Sequence, residues 1–159
     1  MVVPFHYAEP ISHMLRQLKY PRRMHVAPAM SESLAEQVLR RAGPLPQVLL
    51  PIPLHTSRIR WRGFNQSTLL ARETGRLLGL PVDQGMLLRT RATRSQARLD
   101  VQARKKNLRD AFAVKASGRY DAVAVIDDVI TSGATMEAAC QVLRQCGYSR
   151  ISAWAVARA

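Results

Sequence analysis

The chain has 159 residues, 47% of them hydrophobic, and 24 Lys and Arg against 11 Asp and Glu give a formal net charge of +13. That size and apolar content exclude disorder and suit one domain with a continuous core. The charge excess favours anionic partners such as polyphosphates or nucleic acids, unless it is only a solubility adaptation. Two cysteines without CxxC spacing suggest neither a zinc site nor a disulfide framework, and Cys140 and Cys146 are expected as small core residues in or just past one helix. No run approaches the ~18 apolar residues of a membrane span, and Met1-Val-Val-Pro-Phe5 lacks the pattern of a signal peptide, so a cytoplasmic location is expected.

From Pro10 to Arg41 the spacing predicts two short helices divided by Pro21. Leu15 and Leu18 lie on the first and Leu34, Val38 and Leu39 on the second, with Ser31 or Ser33 capping an end. Gly43, Pro44 and Pro46 close this region, and residues 48–53 read as a buried strand. Residues 66–78 form the clearest helix: Asn65 is the N-cap, Phe64 staples onto Leu69, Gly79 suits the left-handed end and Pro81 follows. Met86 to Arg89 reads as a short strand. From Arg89 to Arg109 the chain carries eight basic residues and one acid, Asp100.

Ala122 to Ile126 is apolar without alternation, as in a strand covered on both faces. A helix bearing Met136, Ala139, Cys140 and Leu143 follows, then Gly147 and a strand from Ile151 to Val156. This order implies a right-handed βαβ unit and a mostly parallel α/β sheet, whose ligands bind beyond the carboxyl ends of the strands. Asp127 and Asp128 fall at that edge. Two adjacent carboxylates repel unless something pairs with them, and a diol can donate to both. In Thr131-Ser132-Gly133-Ala134-Thr135, small residues and hydroxyls at a helix start form an oxyanion cradle. The two together describe a ribose 5-phosphate site. The plainer alternative is an Asp-Asp turn with a Thr-Ser-Gly cap, and a nucleotide triphosphatase site is excluded because no Gly-x4-Gly-Lys-Ser/Thr loop occurs.

Val125 to Thr135 resembles the phosphoribosyl pyrophosphate (PRPP) signature of the type I phosphoribosyltransferases. Residues 51–55, Arg58, Arg62-Gly63-Phe64-Asn65-Gln66, Gln96, Leu99, Arg104, Asn107 and Ala111-Phe112 resemble the ComF family associated with bacterial competence. Many members of that family begin with a four-cysteine zinc finger, which no segment here matches. The resemblance implies a type I phosphoribosyltransferase fold, a parallel sheet flanked by helices with a small N-terminal hood. It also implies Mg²⁺-assisted displacement of pyrophosphate from PRPP by an acceptor, with single-stranded DNA and a competence helicase as partners. The alternative is a non-catalytic DNA-binding protein that responds to PRPP or a nucleotide.

On this resemblance Asp127 and Asp128 are the catalytic pair, and with Val129, Ile130, Thr131, Ser132, Gly133, Ala134 and Thr135 they hold the ribose phosphate. Pro53, Leu54, His55, Arg58 and Arg62 are expected around the pyrophosphate, with no direct protein ligand to the metal. Arg58, Arg60 and Arg62 would share one side of an extended segment with Trp61 opposite, although a solvated loop face is an equal reading for Arg60. Arg104 is expected on a mobile loop over PRPP. Alternatively Arg94, Arg98 and Arg104 contact a nucleic-acid backbone, with Trp61 or Tyr20 stacking on bases. Lys105 and Lys106 read as a solvated helix face.

Overall fold

The computed structural model describes residues 1–90, 111–115 and 120–159. Arg94, Gln96, Arg98, Leu99, Arg104, Lys105, Lys106 and Asn107 lie outside them, and with them the expected mobile loop.

In chain order the elements are β1 (Phe5–His6), α1 (Ile11–Gln17), a 3₁₀ turn (Pro21–Val26), α2 (Ala27–Arg40), β2 (Val48–Pro51), α3 (Thr56–Arg62) and α4 (Gln66–Leu78). β3 (Leu87–Arg89), β4 (Phe112–Val114), β5 (Ala122–Ile130), α5 (Ala134–Gln145) and β6 (Arg150–Arg158) complete them. Strands β1-β6-β5-β2 form a four-stranded sheet in which every pair is parallel. β3 and β4 form a separate antiparallel pair.

β5 is central and apolar because both its faces are covered. Val123 and Val125 pack with Ala139, Cys140 and Leu143 of α5 and with Leu87 and Phe112 of the β3–β4 pair. Ala124 and Ile126 pack on the opposite side with Leu34 of α2 and Leu70 of α4. Burying such a side chain is worth about 1.5–3 kcal/mol each, so the two clusters fix the layer order.

α4 runs over the expected residues. The Asn65 side chain accepts from the Ser67 amide at 3.1 Å, and Gly79 at φ +67° turns the chain with its N–H on the Gly75 carbonyl. α2 departs from expectation at its start. It continues from the 3₁₀ turn with Val26 at its N-cap, and neither serine caps it. Ser31 is buried where α2 crosses α4, its hydroxyl 3.4 Å from the Leu70 carbonyl, and Ser33 bonds back to the Ala29 carbonyl. Leu34 and Val38 are core residues, but Leu39 is exposed, because the buried stripe of α2 has turned away by that position. Cys140 is buried in α5, whereas Cys146 is exposed at its end. No helix among the described residues is long and apolar enough to cross a membrane.

Candidate ribose-phosphate site

The carboxyl ends of β2 and β5 lie side by side, with Pro51 paired to Ile126. The helices that follow them take opposite faces, α4 joining the cluster with α2 and α5 joining the other. Where consecutive connections diverge in this way, a crevice opens between strand ends, and ligands of parallel sheets bind there.

β5 extends through this edge instead of stopping at Ile126. Asp127 pairs with Ala155, Val129 with Ala157 and Ile130 with Arg158. The two acids are therefore held by the sheet ladder, not by a turn beyond it. Asp127 Oδ1 accepts from the Ser67 hydroxyl at 2.8 Å and from the Asp128 amide at 2.9 Å. Asp128 is buried; its Oδ1 accepts from the Val129 amide at 2.9 Å and its Oδ2 lies 3.4 Å from Gln66 Nε2. Gln66 in turn accepts from Arg62 Nη1 at 2.8 Å.

The first turn of α4 thus supports both carboxylates, and sequence reasoning missed this. Gln66 was visible only as part of a family match and Ser67 not at all, since the contacts join residues 60 and 62 positions apart. Even so, burial first and the neighbouring Asp128 charge second hold the Asp127 carboxyl well above the usual carboxylate range. The Ser67 hydroxyl and the Asp128 amide only partly offset them. Hydroxyl donors or a cation would relieve that imbalance. No three His, Cys, Asp or Glu side chains cluster among the described residues.

Asp127 also lines a small cradle with Val129 and residues 130–136. Ile130 and Ala134 anchor the loop in the core, while Thr131 and Ser132 are exposed and Gly133 and Thr135 half-buried. Gly133 at φ +77° reverses the chain into α5, whose first-turn amides have no acceptor within a helix and favour an anion. The structure therefore brings Asp127 and the 131–135 segment together, with Asp128 behind them on Gln66.

The segment after β2 is helical, not extended. Arg58 and Arg62 lie one turn apart on one face of α3 and Arg60 points elsewhere. His55 caps α3, its Nδ1 accepting from the Ser57 amide at 3.3 Å. Arg58 is exposed, Arg62 is committed to Gln66, and Pro53 and Leu54 are half-buried in the loop between β2 and α3. A groove of about 420 Å³, lined by Met24, Pro51, Ile59, Phe64, Leu69 and Arg72 among others, opens beside α4 and contains neither acid nor cradle. Phe64 and Leu69, the expected staple, both face it.

No family model matches the chain. The DNA utilization protein YhgH of Salmonella typhi is 35% identical over 156 residues, covering 96% of this chain and 69% of that protein. Competence protein F of Haemophilus influenzae is 32% identical over 166 residues, covering 100% of this chain and 72% of that protein. Among solved structures, the glutamine PRPP amidotransferase of B. subtilis complexed with ADP and GMP has a TM-score of 0.53 at 17% identity. That match covers 82% of this chain but spans only 26% of the amidotransferase, and it speaks to the fold alone. With relatives at 32–35% identity matched over most of their length, and with this sheet and cradle, the chain belongs to the ComF family of competence and DNA utilization proteins, built on the type I phosphoribosyltransferase fold.

Proposed function

We propose that the protein binds PRPP with Mg²⁺ in the cytoplasm and transfers its phosphoribosyl group to an acceptor. One observation carries this reading: Asp127 belongs both to an under-compensated acid pair and to an oxyanion cradle at the sheet's switch point. The cradle takes the 5-phosphate and the acid pair the ribose hydroxyls. In the reaction the bond from C1 of the ribose to pyrophosphate breaks, the leaving group keeps the electron pair, and the acceptor forms the new bond to C1. The acceptor's proton goes to Asp127, whose raised proton affinity suits a general base. Mg²⁺, when bound, neutralises charge growing on the pyrophosphate. Arg58 and Arg62, on one face of α3, follow the loop that would present Pro53, Leu54 and His55 to the leaving pyrophosphate.

The test is the thermal midpoint with PRPP and Mg²⁺, since a ligand at a hundred times its Kd adds about 2.7 kcal/mol to folding. The midpoint should rise, and Asp128→Asn should weaken PRPP about ten- to a hundredfold by removing a charged hydrogen-bond partner. A midpoint unmoved by PRPP, ribose 5-phosphate and nucleotides alike would remove the reading.

A second reading, handling of single-stranded DNA, draws on the relatives' names, DNA utilization protein and competence protein, and on α3. That helix buries no residue, carries Arg58, Arg60 and Arg62, and leaves Trp61 82% exposed. Cations around an exposed indole suit a single strand, whose bases stack and whose phosphates are neutralised.

A further inference from the structure

The groove beside α4 has no part in the roles above. Phe64, Leu69, Ile59 and Pro53 give it apolar walls, Thr68, Arg72 and Gln84 add polar groups, and none of its described lining residues is an acid. Its volume of about 420 Å³ is that of a small-ligand site. Ile59 stands between Arg58 and Arg60 on α3, so the groove adjoins the exposed cations of that helix. Its walls leave apolar surface in water that a flat ring would cover.

Arg72 is engaged along one side only. The Gln84 side-chain carbonyl, turned toward it, accepts from Nη2 at 3.0 Å and from Nε at 3.3 Å. Among the described residues no carboxylate pairs with Arg72. The Nη1–Nη2 end of the guanidinium is thereby left for two acceptors that lie side by side. A nucleobase has apolar faces and a polar edge, and guanine sets O6 beside N7, the pair that arginine grips in DNA. In an unpaired strand cytosine likewise sets O2 beside N3, whereas adenine and thymine place an N–H donor next to each acceptor. An apolar side chain of a partner protein would leave Arg72 without an acceptor, and a second copy of a chain charged +13 would be repelled.

We propose that this groove takes one unpaired base of single-stranded DNA, Arg72 gripping the paired acceptors of guanine or cytosine while the arginines of α3 meet the flanking phosphates. The proposal rests on the DNA reading and gives it a base-selective subsite.

The test is titration at low salt with short abasic strands that carry one central base, guanine, cytosine, adenine or thymine, or none. All have the same phosphates, so the electrostatic contribution is common to them. The wild type should bind the guanine and cytosine strands about five- to a hundredfold more tightly than the baseless strand, the span of one bidentate contact, and the other two should gain less. Arg72 is exposed, so its variants should fold. Arg72→Lys keeps the charge and loses the fork, so the four bases should converge while the baseless strand binds as before. Trp61→Ala should lower affinity and keep the preference. A preference that survives in Arg72→Lys overturns the role of the groove alone. So does binding of a mixed-sequence strand with no gain from guanine or cytosine, which leaves the groove to a side chain of a partner protein. A wild type that binds neither these strands nor the mixed-sequence strand overturns the DNA reading and this proposal with it.

Discussion

Asp127 has the most perturbed environment in the site, and its consequence appears without any ligand. Burial and the Asp128 charge raise its proton affinity in the folded chain above that in the unfolded chain. Its contribution to stability is therefore fully present below the unfolded pKa, about 3.9, and is lost as pH rises through the higher folded value. Apo protein should lose stability from this source as pH rises from about 4 toward neutrality. Asp127→Asn removes the titration, so its melting temperature should vary less with pH than that of the wild type. Parallel curves for the two proteins would show that Asp127 ionises at no unusual cost.

At the scale of an element, α4 joins the site to the body of the protein. Its first turn holds both acids through Gln66 and Ser67, and its last turn packs tightly at Gly75. A Cβ there would lie 2.7 Å from the Leu80 carbonyl oxygen, closer than such atoms pack, and 3.0 Å from Val82 Cγ2, a contact tighter than most. Alanine is the better helix former by about 1 kcal/mol. Overpacking against backbone nonetheless costs about 1–3 kcal/mol, so Gly75→Ala should lower the denaturant midpoint. A raised midpoint would mean that the segment at 80–82 yields freely. Gly79 differs in kind, because nothing lies within 4 Å and only its φ of +67° resists a side chain.

At the scale of the whole molecule, a charge of +13 gives any polyanion a favourable approach, but it does not say where one binds. α3 supplies a place on the proposed DNA reading. Trp61→Ala should weaken single-stranded DNA by about 1–3 kcal/mol per stacked base, with the salt dependence unchanged. Arg60→Gln should instead flatten the log-log salt slope by about 0.7 if it meets one phosphate. Binding titrations across a salt series separate these effects. Unaltered affinity in both variants would take the DNA surface away from α3 and leave the segment with Arg94, Arg98 and Arg104 to be tested in the same way.

What the chain alone determined is what short-range physics decides. The apolar run into Asp127 and Asp128, the Thr131-to-Thr135 cradle and the helix after it are contiguous, so strand, cradle and helix were legible in order. The ends of α4 were legible too, because Asn65 and Gly79 act on amides and carbonyls within one turn of themselves. The two strands at β1 and β4 were not, being two and three residues long and formed only by their partners. α3 was missed because alternating Arg residues also suit an extended segment, and the His55 cap decided for helix. Ser31 reads as a cap from its polarity, yet it is buried because a small residue fits where α2 meets α4. Only the tertiary structure could bring Ser67 and Gln66 to the acids and Arg89 to Pro53, since those contacts span 36 to 62 residues and depend on which strands become neighbours.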